Sequence, residues 1–161
     1  MCSGERILPA LALRVTRPPK MLSDQPILII DDNVNLAKGF ALVLQRSGYR
    51  VNVAHTAEEG LRLAQADNPA AVIVDFRMPF INGAGFLYRL RACPKQADTP
   101  VLVVTAAAVN DEMRAQLAEL RAELRFKPLG GPDLLAEVSA LVGEPMRPRA
   151  AMEPGQIASR A

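Results

Sequence analysis

The sequence predicts an α/β fold: a doubly wound, parallel five-stranded sheet built from five β–α units, (βα)5, arranged as a three-layer sandwich. Three observations predict it. Apolar runs of strand length recur at residues 27–30, 72–74 and 101–104. Segments with a helical apolar period lie between them. Two further short segments alternate apolar and polar residues, as half-buried strands do.

Each element can be justified in order. "PILII" (26–30) is apolar throughout and ends in Asp31-Asp32. The helix after it carries Leu36, Phe40, Val43 and Leu44 at i, i+4, i+7 and i+8, and Gly48 stops it. "YRVNVAH" (49–55) alternates. Thr56, with Glu59 three residues on, makes a capping box for the second helix. "AAVIVD" (70–75) is the third strand, and a short helix bearing Phe86, Leu87 and Leu90 ends before Pro94. "PVLVVT" (100–105) is the fourth strand, followed by a helix that buries Met113, Leu117 and Leu120. "ELRF" (123–126) alternates again. The last helix begins near Gly131-Pro132, with proline suited to its first turn, and presents Leu134, Leu135, Val138, Leu141 and Val142.

Strands separated by helices run parallel through right-handed crossovers. Strands one, three and four are apolar on both faces and belong in the middle; two and five alternate and belong at the edges. The order 2-1-3-4-5 satisfies this. The winding direction reverses between strands one and three, and ligands of such sheets bind there, beyond the carboxyl ends.

The 161 residues accommodate one domain, 25–143, with an N-terminal extension, 1–24, and a Pro-, Arg- and Ala-rich tail, 144–161. Hydrophobic residues make up 50 %, enough for a core. A net charge of +2 is too small for the electrostatic footprint of a nucleic-acid binder. Cys2 and Cys93 have neither metal nor redox spacing, so a reducing cytoplasm is expected. No apolar run approaches the ~18 residues that span a bilayer, so no membrane insertion is expected. "RILPALALRV" (6–15) follows a charged start, as a signal peptide does, but contains Pro9 and precedes "TRPPK", not a small-residue cleavage site. Another reading takes Met21 as the start and residues 1–20 as an extension.

The strand ends carry the chemistry. Asp31 and Asp32 end strand one and Asp75 ends strand three, so the fold gathers three acids at the switch point. Two charges about 5 Å apart at an effective dielectric near 20 repel by roughly 3 kcal/mol, so the cluster needs a cation or a proton. Hard oxygen ligands favour Mg²⁺, with Mn²⁺ a substitute. Thr105 ends strand four and Lys127 follows strand five. A metal, an ammonium and a hydroxyl around one carboxylate make a receptacle for a phosphoryl group, with Asp75 as the nucleophile.

"ILIIDDN", "VIVDFRMP", "NGAGF", "VLVVTA" and "FKPL" together resemble the receiver domain of bacterial two-component response regulators, the flavodoxin-like, CheY-like family. The intervals agree too: 43 residues from Asp32 to Asp75, 30 to Thr105 and 22 to Lys127. The resemblance implies that Asp31 and Asp32 are the metal-site acids, with Asp32 the more direct ligand. It implies that Asp75 is the phosphoacceptor and a metal ligand, and that the backbone carbonyl of Arg77 is the third protein ligand. Thr105 is then the hydroxyl that reorients toward the phosphoryl group, and Lys127 its ion-pairing lysine. A cis Lys127–Pro128 bond, common in the family, is expected as well. The sequence departs from the pattern at Leu124, where the family often has an aromatic residue that swings inward on activation. Phe126 lies nearer the site on the same strand face.

The functional expectation is a stand-alone receiver. It accepts a phosphoryl group from a sensor histidine kinase or histidine phosphotransfer protein and acts by contact with a downstream protein, as a monomer or a phosphorylation-dependent homodimer. Residues 143–161 are too few for an output domain, which needs ~50 residues or more. Two other readings stand beside it. One is a degenerate receiver that binds a partner constitutively. The other is a small Asp-dependent phosphatase, but such enzymes place a second acid two residues after the nucleophile, where this chain has Arg77. Beyond self-dephosphorylation no enzymatic turnover is expected. His55 is expected to be solvated, and Arg114, Arg121 and Arg125 to form a solvated face.

Overall fold

The computed structural model describes residues 24–143. The segments 1–23 and 144–161, with Cys2 and Met21, lie outside the described residues. The elements in chain order are β1 (Ile27–Ile30), α1 (Val34–Arg46), β2 (Val51–Ala54), α2 (Ala57–Asp67), β3 (Ala71–Asp75), α3 (Gly83–Ala92), β4 (Val101–Thr105), α4 (Asp111–Glu119), β5 (Ala122–Phe126) and α5 (Gly131–Leu141). All pairings are parallel and the sheet order is β2-β1-β3-β4-β5, as the strand patterns predict.

Strand alternation divides the core into two layers. Leu28, Ile30, Val72, Val74, Val101 and Val103 face α2, α3 and α4. Ile27, Ile29, Ile73, Leu102 and Val104 face α1 and α5, where Phe40, Leu44, Leu134 and Val138 meet them. The three central strands are buried along their whole length, which is why their sequences show no alternation.

Asparagine caps set the loops that leave the strands. Asn33 accepts from the Leu36 amide at 3.1 Å and opens α1. Asn82 accepts from the Gly85 amide at 2.9 Å and opens α3. Each cap contributes about 1 kcal/mol and fixes how the chain turns out of β1 and β3, the two acid-bearing strands. α1 ends at Arg46 with Ser47 as its cap, and Gly48, expected to stop the helix, follows at φ 96° in the left-handed region.

Several details differ from expectation. The capping box of α2 is shifted: Thr56 accepts from the Glu59 amide as expected, but Glu59 Oε2 takes the amide of His55, one residue before the cap. β2 starts at Val51, because Tyr49 is buried against α5 with its hydroxyl 3.2 Å from Ser139. Met113 is only partly buried, and Leu120 lies just past the end of α4. A 3₁₀ turn, Pro94–Gln96, follows α3. Arg91, in the last turn of α3, ties this corner down. Its guanidinium donates to the carbonyls of Gln96, Thr99, Leu120 and Arg121.

Gly83 is where α3 approaches the end of β3. A Cβ there would lie 3.0 Å from Phe76 Cα and 3.1 Å from the Asp75 carbonyl, both rigid backbone. The Gly83 amide donates to Phe76 at 2.9 Å. Gly83→Val is expected to lower stability by about 1–3 kcal/mol, because the helix must back away from the strand end. Urea unfolding of the two chains measures it; an unchanged midpoint contradicts the close approach.

Candidate functional site

The loop after β1 and the end of β3 lie side by side because β1 pairs with β3, with Ile30 opposite Val74. Asp31 and Asp75 therefore leave neighbouring strands at the same height. Asp31, Asp32 and Asp75 each present a carboxylate oxygen, all within 4.8 Å of one another. Asp31 and Asp75 are buried, and Asp32 is exposed at the mouth.

Lys127 leaves the end of β5 and bridges the two buried acids. Its Nζ donates to Asp31 Oδ2 at 3.0 Å and to Asp75 Oδ1 at 2.9 Å. The Asn33 amide donates to Asp31 Oδ1 at 2.8 Å, so both Asp31 oxygens are held. Asp75 Oδ2 and the Asp32 carboxylate receive no hydrogen bond from a described residue. Three carboxylates facing one ammonium leave two excess negative charges in the crevice.

Burial raises the pKa of Asp75 above the usual carboxylate value. The Lys127 hydrogen bond and charge pull it down, Asp31 and Asp32 push it up, and the result remains raised. Burial pulls the Lys127 ammonium down, but its hydrogen bonds to Asp75 and Asp31 and the charges of both acids together outweigh this, and it ends raised.

Thr105 ends β4 one residue beyond Val104, the Cα partner of Asp75. It is fully buried, and its Oγ1 accepts from the Ala107 amide at 3.0 Å. The Lys127 amide donates to the Thr105 carbonyl at 2.8 Å, tying these two residues together through the backbone. Arg77 is exposed in the loop after β3. The Lys127–Pro128 peptide is cis.

Leu124 is partly buried against the α4 layer. Phe126, Cα partner of Thr105, is 46 % exposed. The Arg114 guanidinium lies 5.5 Å from its ring centroid. The expected solvated arginine face is thus not one surface. Arg121 bonds Asp98 and the Ala97 carbonyl, while Arg125 bonds Glu137 across on α5 and Glu123 beside it.

His55 departs most from expectation. It is half-buried, with Nδ1 3.0 Å from the Asp31 carbonyl oxygen. A usable signal was present: Ile30 pairs with Ala54, so the next residues, Asp31 and His55, must be neighbours.

The acids fit a small hard cation. They offer only oxygen donors, carry an unmatched negative charge, and leave Asp32 open at the mouth. Fold and crevice together define the CheY-like class of doubly wound α/β domain. Residues 27–139 match the response regulator receiver domain family, and the chain belongs to it. It is a receiver domain of a two-component response regulator. The transcriptional regulatory protein PrrA of Mycobacterium leprae is 31 % identical over 121 residues, which cover 75 % of this chain and 51 % of PrrA. The response regulator MprA of Mycobacterium ulcerans is 32 % identical over 116 residues, covering 72 % of this chain and 49 % of MprA. The chain thus spans about half the length of these relatives. Among solved structures, the chemotaxis protein CheY4 of Vibrio cholerae superposes with a TM-score of 0.69 at 25 % identity, covering 74 % of this chain and 99 % of CheY4. The N-terminal domain of a response regulator receiver protein from Methanoculleus marisnigri gives 0.61 at 28 %, covering 76 % and 100 %. No helix among the described residues is long and apolar enough to cross a membrane.

Proposed function

We propose that this domain accepts a phosphoryl group on Asp75 from a phosphohistidine of a sensor histidine kinase or histidine phosphotransfer protein. The observation that carries the reading is the bridge from Lys127 to Asp31 and Asp75 within a crevice of three acids. Lys127 holds Asp75 Oδ1, so Oδ2 is the oxygen left to attack. The P–N bond of the donor breaks as the Asp75 O–P bond forms, and the imidazole leaves and takes up a proton. Magnesium held by Asp31, Asp32, Asp75 and the Arg77 carbonyl would supply neutralisation of the phosphoryl oxygens during transfer. Lys127 then trades its contact with Asp75 for one with the new phosphoryl oxygens. Thr105 accepts a hydrogen bond from Ala107 and keeps its own proton to donate toward that group.

The readout is a population shift on the α4–β5 side. With Leu124 already packed inward, the aromatic ring next to Thr105 is Phe126, held by Arg114 of α4. We take the output of this domain to be contact with another protein in the cytoplasm, without turnover of substrate. The test uses the full chain with MgCl₂ and acetyl phosphate, read by intact mass. One added phosphoryl group, abolished by EDTA, is expected. Sustained hydrolysis of p-nitrophenyl phosphate would favour the phosphatase, and no labelling would favour the constitutive binding module.

A further inference from the structure

We propose that His55 is a positioning residue for the metal site, setting the peptide that joins Asp31 to Asp32. The role rests on reading the acid cluster as a magnesium site. A carbonyl oxygen only accepts, so His55 Nδ1 carries the proton and donates to the Asp31 carbonyl at 3.0 Å. That carbonyl belongs to the peptide linking the two acids, so its direction sets how the chain enters Asp32. The other hydrogen bonds of the loop act on the Asp31 amide and carboxylate, not on this carbonyl. The Asp31 amide donates to Ala54 at 3.2 Å, and the Asp31 carboxylate is held by Asn33 and Lys127. Asp32 has no described donor of its own, so its carboxylate is aimed by the backbone alone.

His55 is itself fixed from behind. Its amide donates to Glu59 Oε2 at 3.0 Å, and the Glu59 amide donates to Thr56 Oγ1 at 3.1 Å. The backbone of His55 is thus pinned to the first turn of α2, and its imidazole reaches from there to the peptide before Asp32. The Nδ1 proton is present in both the neutral and the protonated ring, so the bond needs no particular charge state. Partners that orient metal ligands from behind typically change metal affinity 10- to 100-fold when removed.

The experiment measures magnesium affinity by titration calorimetry on the full chain, with melting in EDTA recorded in parallel. His55→Ala is expected to weaken Mg²⁺ binding about tenfold. His55→Asn, whose side-chain amide places a donor near the position of Nδ1, is expected to stay within a few-fold of the unsubstituted chain. If His55→Ala melts lower yet binds Mg²⁺ unchanged, His55 only stabilises the fold and the proposal falls. It also falls if His55→Asn binds as weakly as His55→Ala. A natural-sequence chain that takes up no Mg²⁺ overturns the metal reading itself, and this role with it.

Discussion

Asp75→Asn is expected to take up no phosphoryl group from acetyl phosphate and, without metal, to melt a few degrees higher than the unsubstituted chain. The first half follows from chemistry: an amide oxygen is not a nucleophile that can form an acyl phosphate. The second half follows from the crevice. Burial and the neighbouring Asp31 and Asp32 raise the Asp75 pKa more than Lys127 lowers it, so the folded state disfavours this negative charge. Relief of the buried charge is the largest gain, the lost Lys127 hydrogen bond and charge offset part of it, and relief of the repulsion from Asp31 and Asp32 adds a smaller share. A net gain of about 1 kcal/mol, or a few degrees in melting temperature, is expected.

The pH dependence has a definite sign. A carboxyl whose folded pKa is raised binds more protons folded than unfolded. Its favourable contribution is full below the unfolded value and is lost as pH rises through the folded value. In EDTA the unsubstituted chain therefore loses this contribution over that window, and Asp75→Asn does not. Thermal melts across mildly acidic to neutral pH measure the difference. An Asp75→Asn chain that melts lower than the unsubstituted one in EDTA would show that the Lys127 attraction outweighs burial and repulsion together at this carboxylate.

The features legible in the sequence are those that strand periodicity controls. The continuous apolar runs of β1, β3 and β4 fix them as central, and the order of the sheet follows. Once the order is known, Asp31 and Asp75 must emerge together, because residues at the ends of paired parallel strands share one edge. The less legible features involve groups that leave no pattern. The His55 ring bonds a backbone carbonyl, and every residue has one. Arg91 reads as a surface cation in the last turn of a helix, yet it closes off four carbonyls, one in the 3₁₀ turn and three in the loops before β4 and β5. Glu59 was legible as a capping residue, but which amide it takes depends on how the chain bends before Thr56.

Lys127→Met should be the most destabilising single change at the crevice, and magnesium should reverse most of it. Lys127 is 19 % exposed, while the acids it bridges, Asp31 and Asp75, are 5 % and 8 % exposed. Removing one partner of a buried pair leaves the other uncompensated and typically costs 3–5 kcal/mol; here the mouth is open to water, so about 3 kcal/mol is expected in EDTA. The substituted chain keeps three carboxylates and no ammonium, so a divalent cation gains more by binding. The melting shift on adding MgCl₂ should therefore be larger for Lys127→Met than for the unsubstituted chain. Alkaline pH gives an independent reading. Against burial, the hydrogen bonds to Asp75 and Asp31 and the charges of both acids together leave Lys127 with a raised folded pKa. Its contribution is full below the unfolded value near 10.4 and is lost as pH rises through the higher folded value. The unsubstituted chain should lose stability over that window, and Lys127→Met, with nothing there to titrate, should not. Equal stability of the two chains in EDTA at neutral pH would mean that water already screens the acids and that the lysine contributes nothing to folding.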